Sequence, residues 1–427
     1  MLLVLIVFLF LLFFGMPVAF AIGLSGIVFF LTTPEVPFSI AVQRVLVPSQ
    51  SFTMLAIPLF ILAGNLMNET GITKRLIKLA NVLTGHMYGN LAQVSVVLST
   101  LMGGVSGSAV ADAAMQSRVL GPDMIKRGYS RGFAASINGW SSLITATIPP
   151  SMGLIIYGSV GEVSIGRLFA GGILPGILMM VALMIAVSYT SRKRKYQPAR
   201  EKAPGFKEVL IAFKDGIWAL LFPIILIVGI RYGIFTPSES GAFAAVYAIF
   251  VGAVIYKELT WEKFKKTVYG SAMDIGAIML IISVSGIFGY GIVYDRVTQS
   301  LSELITGITQ NPIILFAIII FLLAVSGMFI ETTVVALLLT PIFVPIIKSV
   351  GIDPVHFGLV MMTVTTMGIM TPPLGVSLFT VSSIMECSPQ ETVKESLPFF
   401  VAVIAVILIM VFFPQLILYI PNRIFGV

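Results

Sequence analysis

An all-α polytopic membrane protein, built as two inverted repeats of about five spans plus one re-entrant helical hairpin each, is the fold class predicted by three observations. The first is composition. Of 427 residues, 57% are hydrophobic and only 11% charged, and mean hydropathy is +1.03, whereas a soluble domain carries about 25% charged residues. The second is a pair of twin prolines, Pro149-Pro150 in Ala146–Gly153 and Pro372-Pro373 in Met370–Gly375, each interrupting an apolar stretch of membrane length. The third is the gathering of most basic residues into four clusters between apolar segments.

Apolar segments recur at 2–14, 17–31, 53–67, 90–104, 109–120, 132–158, 168–190, 216–232, 238–256, 269–293, 312–328, 332–347, 357–384 and 395–420. A hydrocarbon core about 30 Å thick needs about 20 helical residues, so the shorter pieces must be tilted spans, re-entrant arms or shielded helices. The run 2–14 reads as a first span, not a signal peptide, because no basic residue precedes it and no small-residue cleavage site follows. The pairs 90–104/109–120 and 312–328/332–347 turn at small-residue breaks, Gly103–Ser108 and Ser326-Gly327. They are predicted as hairpins that enter and leave on one side, with two ordinary spans as the alternative. The segments 132–158 and 357–384 carry the twin prolines. Proline removes an N–H and blocks a hydrogen bond to residue i−4, so these spans are predicted to be broken near mid-depth, with freed carbonyls lining a polar cavity.

Placing Lys74/Arg75/Lys78, Lys126/Arg127/Arg131, the basic stretch from Arg192 to Lys207, and Lys257/Lys263/Lys265/Lys266 in the cytoplasm gives one topology. The N-terminus lies outside, five spans lie on either side of a basic linker, the first hairpin opens inward and the second outward. Residues 1–190 form a first repeat (hairpin 90–120, broken helix 132–158), 191–215 a cytoplasmic linker, and 216–427 a second repeat (hairpin 312–347, broken helix 357–384). An odd number of crossings inverts the second repeat. Ordered landmarks support a duplication: Pro17 recurs as Pro237 and Ser106 as Ser326 at one and the same offset, and Pro149 recurs as Pro372 at an offset only slightly larger.

Oxygen-rich breaks suit sodium, because carbonyls at helix C-terminal ends carry partial negative charge while half-helix N-termini attract carboxylates. Gly103, Ser106, Gly107, Asn138, Thr145 and Pro149 are the candidate sodium contacts of the first half. Ser326, Gly327, Thr366, Gly368, Met370 and Thr371 are those of the second, so at least two sodium sites are expected. For the glycines, close helix packing is an equal alternative. Asp112 stands out because an intramembrane carboxylate needs a partner or a cavity. It is a candidate substrate contact or a support for a sodium site; pairing with Arg118 or stabilising its helix N-terminus is the alternative. Glu331 is taken as its mirror, at nearly the same offset as the other landmarks. Asn138, Trp140, Ser141 and Ser151 are read as polar and aromatic lining, against interhelical hydrogen bonding. The lone Cys387 excludes an internal disulfide, and His86 and His356 are too far apart in sequence to suggest a metal site. The net charge of +7 is topological and calls for no nucleic-acid partner. No nucleotide-binding or hydrolase motif occurs, so the chain does not read as an enzyme and its energy must come from an ion gradient or a partner.

The ordered set Ile57-Pro58-Leu59-Phe60-Ile61-Leu62-Ala63-Gly64, Gly103 to Asp112, Thr147-Ile148-Pro149-Pro150-Ser151, Thr236-Pro237-Ser238-Glu239-Ser240-Gly241 and Thr371-Pro372-Pro373 resembles the large membrane subunit of tripartite ATP-independent periplasmic (TRAP) transporters, along essentially the whole chain. The resemblance implies a sodium-coupled secondary transporter of the bacterial inner membrane with an elevator movement. It implies as partners a small four-helix membrane subunit, not fused here, and a periplasmic substrate-binding protein. The sialic acid (N-acetylneuraminate) branch looks most similar, with C4-dicarboxylate as the alternative. That branch carries substrate contacts onto Ser106, Ser108 and Asp112. A stand-alone cation-coupled anion transporter is the remaining alternative.

Overall fold

The computed structural model describes residues 1–308 and 311–426, and every regular element among them is helical. The first half contains α1 (Leu2–Phe13), α2 (Val18–Thr32), α3 (Phe38–Gln50), α4 (Ala56–Glu69), α5 (Ile72–Thr84), α6 (Asn90–Gly103), α7 (Ala109–Val119), α8 (Gly121–Lys126), α9 (Arg131–Thr147), α10 (Met152–Gly161) and α11 (Ile165–Lys193). The second contains α12 (Phe206–Arg231), α13 (Pro237–Phe250), α14 (Trp261–Tyr294), α15 (Val297–Ile308), α16 (Pro312–Phe329), α17 (Thr332–Ser349), α18 (Pro354–Gly368), α19 (Val376–Ile384), α20 (Pro389–Phe412) and α21 (Pro414–Phe425). By length and composition seven helices among the described residues could cross a membrane, or eight if the bent pair α9 and α10 is one span. The sequence pattern predicts ten.

Helix starts follow from local chemistry. Proline opens α13, α18 and α20, where its missing N–H has no intrahelical partner to lose. Thr236 and Glu239 close a reciprocal capping box at the start of α13.

The departures from expectation have local causes. Helix α5 has no apolar run because it is amphipathic: Ile72, Leu76, Leu79 and Ala80 are buried on one face while Lys74 and Lys78 lie outside it. Helix α15 escapes the apolar pattern in the same way, its apolar residues being gathered on one stripe, and α3 escapes it because its short apolar run is interrupted at Gln43 and Arg44. The segment 395–420 is not one span, because Pro414 disfavours helical geometry in Phe413 (φ −122°, ψ 63°) and starts α21 afresh. The second hairpin turns at Ile330-Glu331, not at Ser326-Gly327, which remain inside α16. Glu331 sets that turn by capping α17, its Oε2 accepting the Thr333 N–H at 2.9 Å. The linker after α11 is anchored: the N–H groups of Ala199 and Arg200 donate to the Gly85 carbonyl (2.9 and 3.1 Å), and Tyr196 stacks on Tyr129 with centroids 4.2 Å apart.

Element order recurs along the chain. Helix α6 begins at Asn90 and α16 at Pro312, and that separation returns almost unchanged between the starts of α7 and α17, α9 and α18, α10 and α19, and α11 and α20. Packing recurs with an exchange between halves: α4 lies on α13 and α2 on α14, while α7 lies on α19 and α17 on α10. Helices α2, α4, α13 and α14 form a frame, and the two hairpins with the broken helices sit beside it.

Candidate transport site

Each hairpin tip approaches a broken helix at backbone distance. Gly107 holds φ +64°, and a Cβ there would lie 2.5 Å from the Pro150 carbonyl oxygen, so the first tip admits no side chain in either conformation or space. Next to it the chain breaks at a cis Pro149–Pro150 bond, and α9 and α10 diverge by 42°. Ser108 caps α7 and Ser151 caps α10, accepting N–H groups from Ala111 (3.4 Å) and Leu154 (3.5 Å). Ser151 Oγ also donates to the Ala146 carbonyl across the break at 2.5 Å. In the second half a Cβ on Gly327 would meet the Thr365 carbonyl oxygen at 2.5 Å, and one on Gly368 would strike the Gly327 backbone. The Gly375 N–H donates to the Met328 carbonyl at 3.1 Å, tying the second hairpin to the break containing the cis Pro372–Pro373 bond.

Between these two assemblies and the frame lies a cavity of about 550 Å³. Its walls are the first turns of five helices: Pro17–Phe20 at α2, Ser108–Val110 at α7, Ser151–Gly153 at α10, Glu331–Val334 at α17 and Val376 at α19. Ala277, Ile278, Leu280 and Ile281 of α14 close the frame side, and Met362, Thr366 and Ile369 contribute from α18 and the second break. Helix N-termini carry partial positive charge and unpaired N–H groups, so their convergence attracts an anion without any basic side chain. Among the described residues, Glu331 is the sole ionisable side chain in the lining.

The residues singled out from sequence fall into distinct places. Gly107, Ser108, Ser151, Thr366 and Glu331 line the cavity. Gly103 lies against Ile148, and the carbonyl of Ser106 faces Gly64 of α4. Pro149 is buried in the break. Asp112, Asn138 and Thr145 are outside the lining and belong to a buried polar network between α6, α7 and α9. Asp112 Oδ2 accepts from Ser99 Oγ (2.8 Å), Thr145 Oγ1 (2.7 Å) and Gln116 Nε2 (2.7 Å), while Ser95 lies within hydrogen-bonding distance of Gln116, Asn138 and Ser141. Among the described residues Asp112 forms no ion pair with Arg118, and its Oδ1, like Asn138 Nδ2, has no partner. Trp140 faces Phe400 and shares a separate space of about 200 Å³ with Met370 and Thr371. Ser326 borders a third, apolar cavity of about 680 Å³ against α1 and α14. The counterpart of Glu331 is Ser108, not Asp112: both cap the second arm of their hairpin, and their offset equals that between Pro149 and Pro372. Sequence reasoning missed the frame residues on α2 and α14, for which Pro17 and the small pair Gly276-Ala277 are the available signals.

Residues 5–416 match the family described as tripartite ATP-independent periplasmic transporter, DctM component. The sialic acid TRAP transporter large permease protein SiaM of Vibrio cholerae is 36% identical over 418 residues, covering 97% of each chain. The 2,3-diketo-L-gulonate TRAP transporter large permease protein YiaN of Escherichia coli is 34% identical over 95% of each. The crystal structure of the Alcanivorax borkumensis YdaH transporter shares the fold, with TM-score 0.63 at 10% identity and 88% of each chain covered. The chain therefore belongs to the TRAP transporter large permease family. It is a multi-span inner-membrane transport subunit and not an enzyme, and the family assigns it a periplasmic binding protein and a small membrane subunit as partners.

Proposed function

We propose that this subunit imports a polyhydroxylated monocarboxylate, sialic acid first among them, together with sodium. The observation that carries the reading is the cavity's charge pattern: five helix N-termini and, among the described lining residues, no basic side chain and one carboxylate, Glu331. The substrate carboxylate belongs at the α7 and α10 N-termini, where the Ser108 and Ser151 hydroxyls are available. Glu331, across the cavity, accepts hydroxyl or amide hydrogens and repels a second carboxylate. This disfavours a C4-dicarboxylate.

Sodium is assigned to the carbonyl-rich approaches of tip to break, around Gly103, Ser106, Gly107 and Pro149 in one half and Gly327, Thr366 and Gly368 in the other. Asn138 and Thr145 act behind the first site through the Asp112 network; Ser326, Met370 and Thr371 support the second. Two sodium ions with one monoanion carry one net charge inward, worth about 2.3 kcal/mol per 100 mV. Exchange-related packing of the halves supports two inverted repeats, and a hairpin-bearing unit beside a four-helix frame supports an elevator movement. The N-terminus is assigned to the periplasm on the charge pattern. The small partner is a four-helix membrane subunit.

Uptake into proteoliposomes holding both membrane subunits, supplied with the binding protein, tests the reading. Sodium-dependent accumulation of sialic acid or another sugar acid is expected, with succinate at background. Equal succinate uptake overturns the substrate class, uptake unaffected by removing sodium overturns the coupling, and uptake without the binding protein makes that partner dispensable.

A further inference from the structure

Helix α11 is 29 residues long, about 43 Å at 1.5 Å per residue, and so outreaches a hydrocarbon core of about 30 Å. Its C-terminal half carries Val181, Ile185 and Tyr189 at intervals of four, which places them on one face. They are 45%, 65% and 69% exposed. That face is the floor of a groove of about 720 Å³, walled on one side by Met87 from the turn between α5 and α6. The groove ends at Arg192 and Lys193, both exposed.

Of the basic residues at and beyond the end of α11, two are held by ion pairs, and these two, like the adjacent Lys195, have none among the described residues. Arg194 pairs with Glu395 and Arg200 with Glu208, whereas no ion pair among the described residues includes Arg192 or Lys193. The Arg192 guanidinium instead lies over the Tyr88 ring, 5.3 Å from its centroid. A basic residue at a helix C-terminus is expected from the macrodipole alone, and one in a short loop from topology. Neither accounts for an apolar trough leading into two unpaired cations beside an aromatic ring at the membrane interface. That combination matches the two ends of one molecule: an acyl chain along the trough and a phosphate at its mouth.

We propose that the groove between the C-terminal half of α11 and the α5–α6 turn binds one anionic phospholipid, its acyl chain on Val181, Ile185 and Tyr189 and its phosphate on Arg192 and Lys193. The site lies on the hairpin-bearing half of the molecule, away from the central cavity, and does not depend on the transported substrate.

Native mass spectrometry of the complex with its small membrane partner tests this, using phosphatidylglycerol, phosphatidylcholine and glycerol phosphate as probes. The first lipid retained should be phosphatidylglycerol, with a preference of about tenfold that falls to near parity in Arg192→Gln/Lys193→Gln, as expected for the loss of two interfacial cations. Ile185→Ser should weaken retention of the first lipid without changing the order of preference. Lys207→Gln/Lys214→Gln, which removes two cations outside the groove, should leave the preference intact. An unchanged preference in the Arg192/Lys193 variant overturns the proposal. So does displacement by glycerol phosphate at the same concentration, which would make this a simple anion site. A preference present in the isolated subunit but absent from the complex also overturns it, because the small subunit then covers the groove.

Discussion

The two hairpins occupy corresponding places in the chain, yet one is held by polar side chains and the other leans on apolar ones. In the first, nearly every residue of α6 is buried, and Ser95, Ser99, Asp112 and Gln116 lock both arms to α9. At the corresponding positions the second carries Ala317, Phe321, Val335 and Leu339, and its outer arm exposes Ile313, Phe321 and Phe329. The caps that face the cavity differ too: a hydroxyl from Ser108 and a carboxylate from Glu331. Similar backbones thus give a rigid, electropositive wall on one side and a looser, acidic one on the other. Under the function proposed above, this asymmetry orients an anion bearing hydroxyl groups at its far end.

The most severe test of the shared part of the comparison is Gly107→Val. A branched side chain at φ +64°, directed at the Pro150 carbonyl, should reduce uptake to about a twentieth or less by separating tip from break. Gly327→Val should do the same if the two tips are equivalent, and normal uptake by either variant breaks the equivalence. Next in size, Ser108→Ala and Ser151→Ala should each raise the uptake KM about tenfold, the cost of one charge-assisted hydrogen bond. A change confined to the maximal rate would remove those hydroxyls from the binding step. Asp112→Ala, by stranding three buried donors, should cost about 2–3 kcal/mol of stability, visible as a lower unfolding temperature and impaired uptake. Asp112→Asn should recover most of the stability, and an unperturbed unfolding temperature in the alanine variant would show that the first hairpin is not locked as described. The smallest effect concerns selectivity: Glu331→Gln should lower sugar-acid uptake only about threefold while raising succinate uptake, since a neutral cap no longer repels a second carboxylate.

Much of this was legible in the sequence because membrane insertion simplifies the code. Apolar runs located most long helices, twin prolines located both breaks, and the constant offset between short motifs anticipated the recurrence of element order. Amphipathic α5 and α15 were invisible to a search for apolar runs, since each gathers its apolar residues on one stripe only, and α3 was missed because Gln43 and Arg44 interrupt its short apolar run. Hairpin tips were half legible. Gly107 and Ser108 coincide with the first turn, but Ser326-Gly327 suggested a turn where helix continues, because small residues there permit α16 to approach α18 and the chain reverses at an N-capping glutamate instead. Asp112 attracted notice for its charge, and one turn along a helix carried it from the cavity into the network behind. Spacing in sequence fixes the face of a helix and not what that face meets.

The exchanged packing of the frame has a consequence for biogenesis. Helix α2 ends at Thr32 and its partner α14 begins at Trp261; at about 5–20 residues per second the ribosome takes about 10–45 s to supply that partner. Throughout that interval α2, and likewise α4 awaiting α13, must reside in the bilayer with their packing faces uncovered. The frame therefore cannot close while only the first half has been made, although the first hairpin already has α9 to pack on, and completion of the frame waits for the second half.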